Sequence, residues 1–367
     1  MSEALKDPRD IHKARGPEAL RAAVQNVELV ETVAIATDKP DILTPRRFNW
    51  QIVPEKPLPV LKLGDKTIAT VGNLFNVQAL PKAGKSAAVA AMIAAPIASN
   101  RIGPDTLGFT AENPDGKALL HFDTEQSAYD HDQLIRRALK RAWATEPPPW
   151  LMSYCVTDLD IGQRKQALLD AVEKANAEHG GVFAILIDGI ADFCLSPNDD
   201  AEAFALVGNL HALAMRLACA IGTVLHENPG SDSGKTRGHL GSQLERKVET
   251  NLRLAKDADG ITSLWAERAR HCHLPKEQAT CFQWSDEAGM HVSCGTAGEI
   301  RSAANREKME GDADRAFGSA EALTYTELAE AIADAFTLQP RASKDRIKKW
   351  AAEGIITKQT DGRYRLS

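Results

Sequence analysis

From Val60 onward, apolar runs alternate with segments of helical period. Residues 73–78 form one such run, followed by a small-residue helix from Gly84; residues 118–122 form another, ahead of a helical stretch over 127–145. Residues 182–187 and 220–225 are further apolar runs. Short runs of this kind, alternating with helices, are the pattern of parallel strands covered on both faces, so the chain is expected to build βαβ units. The pattern then changes. Residues 248–255, 262–268, 279–284 and 290–294 read as strands separated by polar turns, which predicts late antiparallel strands extending the same sheet.

The flanks differ from this core. Residues 1–57 mix charge with Pro40, Pro45, Pro54 and Pro57 and carry one helix-like segment, 17–30, which suggests an N-terminal arm. The α/β unit is expected over 58–295. Residues 296–322 follow as a linker, because 296–318 are rich in Gly, Ala and charge with little apolar periodicity and fit a connector or a loosely held helix. A last unit spans 323–367. Leu328, Ile332 and Phe336 share one helical face; after a turn at 338–342, Ser343 is expected to cap a second helix to Glu353, which Gly354 closes. Residues 355–358 and 364–366 flank Asp361-Gly362 as a hairpin, and two helices followed by a hairpin resemble a small winged helix.

Composition narrows the function classes. The 367 residues are 43% hydrophobic and 26% charged, as in ordinary globular chains, and the formal charge of -6 argues against a surface coated throughout in basic residues. Charge therefore has to be read by segment. Residues 339–367 hold eight Lys or Arg against three acids, a local footprint for nucleic acid. On the second helix Lys344, Arg346, Lys348 and Lys349 are placed to approach phosphates or base edges, with Lys358, Arg363 and Arg365 on the hairpin; a winged helix used for protein contact is the alternative. Six cysteines are scattered without a CxxC pair, so zinc is not expected, and His271-Cys272-His273 lacks a second ligand pair. The N-terminus has no basic-then-apolar signal pattern and the apolar stretch 87–98 is too short to span a bilayer, so a cytoplasmic, reducing setting without a membrane is expected.

Candidate chemistry centres on Ala79-Leu80-Pro81-Lys82-Ala83-Gly84-Lys85-Ser86, which lies between a strand and a helix. Backbone amides at such a loop converge on anionic oxygens, Lys85 would reach the terminal phosphates of ATP, and the Ser86 hydroxyl would hold Mg²⁺. This loop type starts with Gly; Ala79 stands there instead and demands a backbone conformation that an L-residue can adopt. The run at 182–187 ends in Asp188, at the strand end where open α/β sheets bind ligands, which makes Asp188 a candidate for the magnesium shell through water. A second acidic tip, Phe122-Asp123-Thr124-Glu125, follows another apolar strand. Glu125 could polarise an attacking water, with Asp123 and Asp188 as competitors for that role.

The succession of residues 79–86, Phe122-Asp123-Thr124-Glu125, Ile185-Leu186-Ile187-Asp188 and Val224-Leu225-His226 resembles the RecA-like P-loop ATPases, among them hexameric replicative helicases of the DnaB and plasmid RepA type. The resemblance covers about residues 60–295. It implies a mostly parallel sheet with helices on both faces, Glu125 as the catalytic glutamate and His226 as a sensor of the γ-phosphate. It also implies a homo-oligomeric ring of hexameric type, with Arg268 and Arg270, read as consecutive same-face positions of a strand over 265–271, as the cationic finger from an adjacent subunit; Arg246 and Lys247 compete for that role. The Gly/Ser-rich stretch 227–238, with Lys235 and Arg237, resembles the loop by which such proteins contact single-stranded nucleic acid. The expected function is Mg²⁺-dependent ATP hydrolysis coupled to single-stranded or duplex DNA, as in a helicase-like replication or mobilisation ATPase of a mobile element. The alternative is a DNA-bound regulatory or recombination ATPase without unwinding activity.

Overall fold

The computed structural model describes residues 41–99, 101–228, 236 and 238–367, and the expected helix at 17–30 lies outside them. The chain divides into two units, residues 1–56 and 57–367. Among the described residues of the first, a 3-10 turn, Thr44–Arg46, is closed by the Asp41 carboxylate, which accepts from the amides of Leu43 and Thr44 at 3.0 and 3.1 Å.

In the second unit, β1 (Pro59–Leu63), β2 (Lys66–Thr70) and, later, β4 (Phe109–Thr110) form a small antiparallel sheet in the order β2-β1-β4. The large sheet begins with β3 (Leu74–Ala79), which leads into α1 (Lys85–Ile97). Next come β5 (Ala118–Asp123), α2 (Ala128–Arg141), β6 (Leu151–Cys155), α3 (Ile161–His179), β7 (Val182–Asp188), α4 (Asp200–Leu217), β8 (Ala220–His226) and α5 (Gly238–Lys247). β9 (Thr250–Lys256), β10 (Thr262–Ala269), β11 (Thr280–Ser285) and β12 (Met290–Thr296) complete it. The order is β12-β11-β10-β9-β3-β8-β7-β5-β6; β9 through β6 pair in parallel and the other three strands are antiparallel. The expected α/β class with late antiparallel strands is therefore present.

Both faces are covered because β3 is buried along its whole length and its alternate side chains point to opposite layers. Phe75, Val77 and Ala79 face the core built on α1, α2 and the small sheet, whereas Leu74 faces the core under α3, α4 and α5. Asn76 and Gln78 share the Leu74 side, and their burial is satisfied by hydrogen bonds to Asn251 and Glu227 across the neighbouring strands. α1 is almost entirely alanine and small aliphatics, and ten of its residues are buried. A helix apolar all round fits only where neighbours surround it, here the sheet, α2 and β4.

Past β12, the segment read as a connector is a continuous helix, α6 (Ala297–Phe317), whose Thr296–Glu299 capping box fixes its start. Its last turn carries Ala313, Ala316 and Phe317 into a third core with α7 (Tyr325–Phe336) and α8 (Pro340–Ala352), closed by the hairpin β13 (Ile356–Lys358) and β14 (Tyr364–Leu366). Ser343 does not cap α8. The helix starts four residues earlier, with Gln339 at the N-cap and Pro340 at the first position, where a fixed φ and a missing N–H suit a helix start. Ser343 is instead buried one turn inside, close to the Gln339 carbonyl.

Candidate active site

Parallel register brings the chemistry together. Ala79 pairs with His226, Asp188 with Val224 on the same strand as His226, and Asp123 with Asp188, so β3, β8, β7 and β5 end side by side. A cavity of about 410 Å³ opens at these ends, lined by Pro81, Lys82, Gly84, Lys85, Ser86, Glu125, Asp188 and His226 among others. All lie on elements whose strand ends point the same way, the general location of ligands in open α/β sheets.

The loop from β3 to α1 resolves the question raised by Ala79. Ala79 is the last residue of a regular strand, and its carbonyl accepts from the Glu227 amide at 3.0 Å. The left-handed positions fall on Lys82 (φ 64°) and Gly84 (φ 92°) instead. Gly84 is required for a second reason, since a Cβ there would lie 3.0 Å from the Phe282 ring. Leu80, Pro81 and Lys82 are exposed, Ala83 is buried, and Lys85 is buried at the helix start.

Lys85 Nζ lies 3.0 Å from His226 Nδ1 and 3.5 Å from the Leu80 carbonyl. Burial lowers the Lys85 pKa, while Glu125, Asp188 and Glu227 pull it back up. His226 Nε2 sits 3.2 Å from both oxygens of Glu125. An ammonium at Lys85 is a donor only, so Nδ1 accepts and Nε2–H donates to Glu125. The hydrogen bond from His226 holds the Glu125 carboxyl below the usual carboxylate range against the opposing effect of burial. Asp188 behaves oppositely: burial, with Asp123 and Glu125 nearby, pushes it up to about 7. Two carboxylates in one cavity are thus driven apart in acidity.

Asp123 does not line this cavity. Its carboxylate is fully buried and accepts from the amides of Glu125 and Gln126, from Gln126 Nε2 at 2.9 Å and from His131 Nδ1 at 3.2 Å. Thr124 ties the same turn to β7, its amide donating to the Asp188 carbonyl at 3.0 Å.

Several cavity-lining residues carry no local sequence signal: Gln126, Leu134, Arg137, Arg141, Lys256, Met290 and His291. Arg141 is buried and donates to the carbonyls of Asp105 and His291 at 2.6 and 2.7 Å, tying β12 to α2. It shares the buried face of α2 with Leu134 and Ala138. His291 meets Phe282 and Trp284 edge-on, and Arg137 lies over the Trp284 ring.

The remaining sequence candidates lie elsewhere. Arg268 and Arg270 do not line this cavity, and they are not same-face strand neighbours: β10 ends at Ala269 and its register shifts between Ala266 and Arg268. Arg268 pairs with Glu245 at 3.2 Å, and Arg270 donates to the carbonyls of Arg246 and Lys247 at the end of α5. Arg268 is exposed, whereas Glu245 is half-buried and also accepts from Thr236 Oγ1 at 2.7 Å. Lys235 and Arg237 lie outside the described residues. In the third core, Lys344, Lys348, Lys349 and Arg363 are exposed, but Arg346 stacks 4.4 Å over Phe336 and lies 3.5 Å from Asp312. Its guanidinium binds the helices of that core together, because Phe336 is partly exposed and an arginine stem and head can cover it.

Among the described residues no group of three His, Cys, Asp or Glu forms a self-sufficient metal cage, and no helix is long and apolar enough to cross a membrane. No protein-family model matches the chain, and no curated protein matches it.

Proposed function

We propose that the chain is a RecA-like P-loop ATPase, magnesium-dependent and coupled to nucleic-acid binding or translocation. The observation that carries this reading is the convergence of Lys85, Ser86, Glu125, Asp188 and His226 on one cavity at the C-terminal ends of four adjacent parallel strands. A phosphate chain at the start of α1 meets the helix amides, the positive end of the helix dipole and Lys85 together.

The donor set fits Mg²⁺. A hydroxyl at Ser86 and one buried carboxylate at Asp188, whose ionisation its acidic neighbours oppose, suit a small cation that takes its other oxygens from phosphate and water. When bound, the ion would neutralise charge on the transferred phosphoryl group. Glu125, ionised at neutral pH, would accept a proton from water placed in line, and His226 would hold that carboxylate while sensing Lys85. Beyond these groups the cavity continues over Ala90, Leu134 and Met290 toward Arg137, Lys256 and His291. An apolar floor with a few polar groups suits the nucleoside part of ATP.

Arg268 and Arg270 lie outside their own cavity, which supports a role in trans in a homo-oligomeric ring. The C-terminal unit, read as a winged helix, would present Lys344, Lys348, Lys349 and Arg363 to DNA phosphates. ATP turnover measured with and without single-stranded and duplex DNA, alongside unwinding of a forked substrate, tests the reading. Absence of turnover rejects it, and absence of stimulation by either polymer rejects the coupling to nucleic acid. Stimulation without unwinding selects the regulatory or recombination ATPase.

A further inference from the structure

Beneath the Glu125 turn runs a hydrogen-bonded chain of four side chains that the proposed hydrolysis does not use. His121 on β5 and Ser153 on β6 are register partners, and His121 Nδ1 lies 2.8 Å from Ser153 Oγ. Ser153 Oγ is 3.1 Å from His131 Nε2, one turn into α2, and His131 Nδ1 is 3.2 Å from Asp123 Oδ2. The two imidazoles stack with centroids 5.5 Å apart and planes 3° from parallel. His121 and Asp123 are fully buried, and among the described residues His121 Nε2 has no partner.

With both imidazoles neutral, one proton arrangement satisfies every link. The Asp123 carboxylate only accepts, so His131 Nδ1–H donates to it, Nε2 accepts from the Ser153 hydroxyl, and Ser153 accepts from His121 Nδ1–H. His121 Nε2 is then a bare lone pair, a smaller cost than a buried unpaired N–H would be. Burial keeps His121 neutral, its pKa lowered to about 4.

The end of this chain is the Asp123 carboxylate. Its Oδ1 accepts the amides of Glu125 and Gln126 at 3.1 and 3.0 Å, fixing the backbone from which the Glu125 side chain leaves. Although these atoms have the order of a Ser-His-Asp nucleophile, neither Ser153 nor His131 lines the cavity at Lys85. We propose that His131, oriented by Ser153 and His121, is a positioning residue that sets the Glu125 turn through Asp123. The catalytic part of this inference rests on the ATPase reading; the geometric part does not.

The test compares His131→Leu, which keeps bulk but loses the donor, with His131→Asn, whose side-chain amide places a donor near the position of Nδ1. Amide hydrogen exchange at Glu125 and Gln126 is read without nucleotide. It is expected to be about tenfold faster in His131→Leu, the weight of one charge-assisted hydrogen bond, and restored in His131→Asn. Turnover should fall on the order of 10- to 100-fold in His131→Leu with the ATP Kd within about twofold, and recover in His131→Asn. Ser153→Ala, a small truncation that should fold, is expected to give a weaker change of the same sign. Unchanged exchange in both His131→Leu and Ser153→Ala, or Leu and Asn variants equally impaired, overturns the proposal. A wild-type chain with no turnover rejects the ATPase reading instead, and amide exchange still decides the positioning role.

Discussion

Lys85 and His226 meet at 3.0 Å, so the lysine at the start of α1 and the strand-end histidine are joined directly. The contact has a physical origin in register: β3 and β8 are parallel neighbours, and Ala79 and His226 pair at their last residues. Through the other ring nitrogen, His226 holds Glu125. In the proposed ATPase, phosphate oxygens would compete for Lys85 and free Nδ1, and this would couple Glu125 to the nucleotide.

Lys85→Ala removes the cation at the start of α1 without filling the cavity. ATP binding measured by calorimetry is expected to weaken at least about 100-fold, two bonds' worth of charge-assisted contact. Wild-type affinity in this variant would place the phosphates elsewhere.

Glu125→Gln keeps the shape of the side chain and removes its capacity to accept a proton. It should bind ATP with near-normal affinity while turnover falls by about 10²- to 10⁴-fold, the usual weight of a general base. Unaltered turnover would move the base to another group.

Arg270→Ala should assemble and bind ATP yet lose turnover, and mixing it with Lys85→Ala subunits should restore part of the activity. In mixed assemblies an intact nucleotide cavity from one subunit can meet an intact Arg270 from the other. Normal hydrolysis by Arg270→Ala alone removes this residue from the reaction.

Gly189, immediately after Asp188, has φ 98°, and a Cβ there would lie 2.1 Å from Thr124 Oγ1 and 3.0 Å from Glu125 Cγ. Gly189→Ala therefore has to displace the Glu125 turn, and a shift near 1 Å corresponds to roughly a 100-fold loss of kcat. Turnover equal to wild type, measured beside ATP affinity, would show that the turn yields without consequence.

His121 makes stability acid-sensitive. Its folded pKa, about 4, lies below the ordinary 6.5, so the folded state refuses a proton that the unfolded chain takes. Its stabilising contribution is present above pH 6.5 and is lost as pH falls toward 4, by up to about 3 kcal/mol at the lower end. Urea midpoints at pH 7 and pH 5 should converge in His121→Phe relative to wild type; an identical acid loss would assign the sensitivity to other groups.

What could be read from the residues alone was local or periodic. The loop at Lys85, the strands ending at Asp188 and His226 and the change to antiparallel strands after residue 248 are written in runs of neighbouring residues, because period 2 and period 3.6 are properties of the chain itself. The Ser343 cap failed because Pro340 offered a better helix start, a competition between two local signals. The rest depended on distant segments meeting. Arg137, Arg141, Lys256 and His291 come from α2, β9 and β12, and nothing near any one of them marks it as part of the site that Lys85 begins. Arg346 has the look of a surface cation until α6 and α7 place Asp312 and Phe336 against it. His121, Ser153 and His131 become one chain only through the register of β5 on β6 and the angle at which α2 leaves Asp123. Sequence determined which residues carry the chemistry of the loop; tertiary structure decided their neighbours, since burial and register alone set who donates to whom.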